Sequence, residues 1–140
     1  MGTSARIRLL GWMLIALAVV VPDGFLVALG VNHAAKGNLV GKYIVMGGIP
    51  LALVGGIAIV IARRASHERF KAMVVGVWSA SIAAVLMTGL MVWRVWFPLL
   101  FGARITVGAV ISMEGIPLLE VPVIGIMYTV GYLVGRVRSA

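Results

Sequence analysis

The chain has 140 residues, 62% hydrophobic and 11% charged, with 12 lysines and arginines against 4 acids for a net charge of +8. Soluble domains are roughly 25% charged, so the composition excludes a water-facing globular surface and implies an all-α integral membrane protein built from long apolar runs. The absence of cysteine excludes disulfides, thiolate metal sites and cysteine nucleophiles, and basic residues gathered at the ends of apolar runs leave no basic face for a nucleic-acid partner.

The first predicted span covers residues 9–31. Arg6 and Arg8 ahead of it imitate a secretory signal, but no small-x-small cleavage site follows Val21, so the expectation is a retained helix. Pro22-Asp23-Gly24 interrupts the run, and splitting it there leaves two pieces too short to cross ~30 Å of hydrocarbon. One kinked helix is the better reading. A polar connection with Asn32, His33, Lys36 and Asn38 leads to a second span over 43–62, ending at Arg63-Arg64, with Pro50 expected to bend its outer third. Gly48, Ala52 and Gly56 recur every four residues on one stripe, where another backbone can approach closely.

Residues 65–71 are the most charged stretch. The third span covers 72–97, where Pro98 discourages continuation. Gly76, Ala80, Ala84 and Thr88 form a second stripe of small residues, and the two stripes predict that the second and third spans pack face to face. Trp93 and Trp96 are placed at the membrane interface. Leu99–Ser112 reads as a loop, a re-entrant segment or part of a fifth span, though a fifth span would leave almost no loop after the third. The last span covers 110–135, contains Pro117 and Pro122, and ends in the close-packing pair Gly131 and Gly135.

Residues 40–59 and 107–126 match without a gap at 11 of 20 positions, including a shared Gly-Ile-Pro-Leu run. Internal repeats set architecture, so the expected fold is a four-transmembrane-helix bundle of two tandem helical hairpins in a parallel repeat, one membrane domain over 1–140. The shared run is expected to bend each return helix. The copies differ where Gly47 and Leu53 of the first face Glu114 and Glu120 of the second.

Four spans place Arg6, Arg8, Arg63, Arg64, Arg69, Lys71, Arg136 and Arg138 on one side and Lys36, Lys42, Arg94 and Arg104 on the other. The more basic side is cytoplasmic, and both termini with it. The plasma membrane of a prokaryote is the expected location. The absence of glutamine, with only Asn32 and Asn38 as asparagines, fits a thermophilic source.

An ionisable group in the bilayer is a functional hypothesis by default. Asp23, Arg94, Arg104, Glu114 and Glu120 form a candidate polar cluster in the outer leaflet. Three readings stay open. These are structural ion pairs (Asp23 with Arg94, Glu114 or Glu120 with Arg104) that fix helix registry, a path for a substrate, ion or proton, or groups snorkelling at the interface. Glu114 and Glu120 are about 240° apart on an ideal helix and share a face only if Pro117 rotates them.

No catalytic residues, metal site or cofactor are expected. His33 and His67 fall in connections on opposite sides, against a bis-histidine haem. The sequence carries no Gly-x-Ser-x-Gly elbow, phosphate loop or dinucleotide fingerprint. The leading expectation is a non-catalytic helical-bundle subunit or partner in a larger membrane complex, its partners being the lipid bilayer and other membrane proteins or further copies of itself. A small transporter or ion or proton conductor using the intramembrane acids is the alternative. A quinone- or haem-handling membrane enzyme ranks third.

Overall fold

Apolar runs closed by arginines set the helices. The computed structural model describes residues 2–28, 48–102 and 107–139, and those residues are all-helical. Helix α1 spans Thr3–Ala28 and passes through Pro22 without ending. Helix α2 spans Ile49–Ala62. Helix α3, Phe70–Met91, continues through a π-helical turn, Val92–Trp96, into the short α4, Phe97–Leu100. Helix α5 spans Val107–Ser139.

Pro22, Pro117 and Pro122 lie inside helices as expected, whereas Pro50 and Pro98 act differently from the sequence expectation. Gly48 caps α2 and Pro50 stands in its first turn, where a missing N–H removes no helical bond. Pro50 therefore opens this helix and does not bend it; residues 43–47, also assigned to the span by sequence, lie outside the described residues. The repeated Gly-Ile-Pro-Leu run is thus no shared bend. It starts α2 in the first copy and lies inside α5 in the second. Pro98 does not stop the third span either. In a regular helix its ring would meet the carbonyl of Arg94, but the wider π turn precedes it, with the Phe97 N–H donating to the Val92 carbonyl. The rod ends where Gly102 takes φ +85°, a left-handed conformation glycine adopts without strain.

Two close antiparallel pairs carry the packing. In the first, Gly11 of α1 meets Gly55 of α2, and the Ser4 hydroxyl donates to the Ala62 carbonyl at 2.8 Å. In the second, α3 packs on α5: Gly76 lies against Tyr128, Gly131 against Val75 and Ser79, and Gly135 against Ala72. The pairs meet in a core where Leu14, Ala18, Leu51, Val54, Ala80, Ala84 and Ile124 touch. The face expected between the second and third spans exists but is the lesser one, since each of those helices has a closer partner. Gly56, on the sequence-derived stripe, faces open space, and its neighbour Gly55 makes the close approach.

Because both pairs are antiparallel, the start of α1, the end of α2, the start of α3 and the end of α5 meet at one end of the bundle. Arg6, Arg8, Arg63, Arg64, Arg69, Lys71, Arg136 and Arg138 stand there, all exposed. Away from that end the outer surface is apolar, with Leu86 68% and Leu118 75% exposed. Among the described residues, three helices are long and apolar enough to cross a membrane, over Thr3–Pro22, Phe70–Arg94 and Leu118–Arg138. The fourth, α2, has 14 residues and reaches about 21 Å at ~1.5 Å per residue.

Candidate functional site

The α3–α5 seam is built from small residues over most of its length, which brings the two backbones close and leaves little room for long side chains. Its far end carries a polar pair. Thr88, the last member of the stripe Gly76, Ala80, Ala84, Thr88, is buried on α3. Opposite it on α5, Glu120 is 1% exposed, and Thr88 Oγ1 donates to Glu120 Oε1 at 3.0 Å. One turn along α5 lies Ile124, part of the central core. Thr88 follows Lys71, and Glu120 precedes Arg136, by some four and a half turns, so both lie about 25 Å from the basic end, within ~30 Å of hydrocarbon.

The remaining members of the candidate cluster are placed unequally. Arg94 is exposed in the π turn. It follows Thr88 by six residues, which puts it on another side of the helix. Arg104 lies outside the described residues. Asp23 belongs to α1 and Glu114 to α5 by backbone, but their side chains lie outside the described residues. Of the two acids whose side chains are described, Glu68 is exposed in the α2–α3 connection and Glu120 is buried. The structure therefore brings Glu120 to the hydroxyl of Thr88, a member of the small-residue stripe.

The other hydroxyls of α3 are satisfied locally. Ser79 and Ser81 donate to the carbonyls of Val75 and Val77 at 3.0 and 2.7 Å, the back-bonding usual for hydroxyls inside helices. Thr88 departs from this habit by reaching across to the neighbouring helix. His67 sits in the exposed connection and accepts the Arg69 N–H at Nδ1, 3.2 Å away. Among the described residues no group of three or more His, Cys, Asp or Glu could hold a metal ion.

Two cavities flank the seam. The larger, about 700 Å³, is a groove between α2 and α5 over α3, lined by Ala52, Leu53, Gly56, Ile57, Val60, Ile61, Arg64, Met73 and Tyr128. The smaller, about 260 Å³, continues it toward Val121, Ile124 and Gly125. Neither is lined by an acid. The sequence stripe Ala52 and Gly56 thus borders the groove, while Gly76, Ala80, Ala84, Gly131 and Gly135 lie buried.

The apolar helices fit a small helical membrane protein, with Glu120 closed into a helix seam. Comparison with protein-family models, with curated proteins and with solved structures returned no match for the chain.

Proposed function

We propose that the chain is a single four-span membrane domain that works as a non-catalytic helical-bundle subunit or partner within a larger membrane assembly. The observation that carries this reading is the use made of Glu120. Its carboxylate is closed between two helices and bonded to Thr88, and the cavity that reaches its neighbours Val121 and Ile124 is lined by apolar residues apart from Tyr128. A buried polar pair of that kind fixes the register of two helices against each other. Basic residues at one end support cytoplasmic termini in a prokaryotic plasma membrane, and the match of 40–59 with 107–126 supports two hairpins derived by duplication. The test is purification in mild detergent, with co-purifying chains identified. A stable monomer, or a homo-oligomer without other chains, sinks the subunit reading.

One observation favours a second reading, a small ion- or proton-conducting transporter. Glu120 lies inside the span at hydrocarbon depth, where carboxylates are costly and are kept for function. Glu120→Gln in proteoliposomes decides it: ion or proton flux that is absent, or unchanged by the substitution, removes the transport reading.

A further inference from the structure

The groove between α2 and α5 has a direction. At one end it is bordered by Arg64, beside the exposed basic cluster, and from there it runs along α2 past Val60, Ile57 and Gly56 to Ala52. That path is about 18 Å at ~1.5 Å per residue, close to one leaflet's share of ~30 Å of hydrocarbon. Met73 of α3 and Tyr128 of α5 complete its lining. A Cβ built at Gly56 meets nothing within 4 Å, so the α2 wall is recessed there. The volume, about 700 Å³, falls within the ~300–1,000 Å³ of small-molecule sites.

We propose that this groove is a binding site for one anionic phospholipid of the leaflet on the basic side, its acyl chain lying along α2 and its phosphate against Arg64. The inference rests on the membrane reading and is independent of the subunit reading. An aliphatic wall offers an acyl chain apolar burial and offers nothing to a polar solute. Basic pockets between transmembrane helices recognise anionic head groups. Arg64 supplies a planar guanidinium suited to phosphate oxygens, and Arg63 and Arg69 stand close by, with Glu68 the acid of that connection. A zwitterionic head group would bring its own cation into the same basic surroundings, so charge selects a lipid with net negative charge.

The experiment is native mass spectrometry of the detergent-purified full chain, titrated with phosphatidylglycerol or with phosphatidylcholine of the same acyl chains. The wild type is expected to retain one lipid and to favour phosphatidylglycerol by about fivefold, the weight of one cation near an anionic lipid surface. Arg64→Ala is expected to bring the two lipids to parity. Gly56→Leu, whose Cβ meets nothing within 4 Å and whose side chain occupies the recess, is expected to cut retention of both lipids with helicity unchanged. Equal retention of the two lipids by the wild type, or retention by both variants equal to that of the wild type, overturns the proposal. So does a change of oligomeric state in Gly56→Leu with the lipid count unaltered, which would assign the groove to a second copy. Extraction into water without detergent would instead overturn the membrane reading itself.

Discussion

Gly11 and Gly55 face each other so closely that a Cβ on either would stand 2.6 Å from the other's carbonyl oxygen. The obstacle in both directions is backbone, which cannot swing aside as the end of a side chain can. Gly55→Ala is expected to destabilise the bundle by about 1–2 kcal/mol, the overpacking cost outweighing the helix propensity of alanine. Gly56→Ala, one residue along, meets nothing and is expected to stabilise by about 0.5–1 kcal/mol. Denaturant unfolding of the two variants in detergent checks the opposite signs.

Thr88 and Glu120 invite a double-mutant cycle. Thr88→Val removes the donor at 3.0 Å and leaves a buried carboxyl without it, at an expected cost of about 1–3 kcal/mol. Glu120→Gln keeps a side-chain oxygen that can accept from Thr88, and its expected cost stays below about 1 kcal/mol. Thr88→Val combined with Glu120→Leu removes both polar partners and is expected to be more stable than Thr88→Val alone. Additive effects of the two changes would show that the pair is not coupled.

Ser4 ties the start of α1 to the end of α2 through the Ala62 carbonyl at 2.8 Å. Ser4→Ala is expected to cost about 0.5–1.5 kcal/mol and to raise amide exchange at the last turn of α2, with α5 unaffected. Hydrogen exchange resolved by segment distinguishes this local loosening from a global loss.

The helical class and the apolar spans were legible because bilayer-crossing segments need long runs without charge. Glu120 was legible for a related reason, since an acid within such a run stands out. Its partner was harder to see: Thr88 reads as one more small residue until both helices are measured from the basic end, where the two positions prove to lie at equal depth. Packing faces were the least legible. A segment that is apolar all round carries little periodic signal, so the buried row Ile7, Gly11, Leu14, Ala18 of α1 could not be told from the lipid-facing rows. On α2 the spacing of four fitted Gly48, Ala52 and Gly56, whereas the close contact uses Gly55, about 100° around the axis.

The absence of cysteine gives a background-free test of orientation. Ser66→Cys lies in the exposed connection at the basic end, and Phe101→Cys, at a position 85% exposed, lies at the other. In intact cells a membrane-impermeant thiol reagent is expected to label Phe101→Cys, and Ser66→Cys only after permeabilisation. The reverse pattern would invert the topology argued from charge.

The π turn at Val92–Trp96 has a consequence for how this chain could change over generations. Such a turn holds one residue more than a regular helix needs, and here that residue lets the rod run on through Pro98. Trp93 and Phe97 meet edge to face at 6.2 Å, and Phe97 and Phe101 stack at 6.4 Å. A single deletion within the turn would heal it to α geometry and set the Pro98 ring against the carbonyl four residues before it. One codon thus separates this continuous rod from a helix kinked or ended at Pro98, and the stack of Phe97 on Phe101 depends on it.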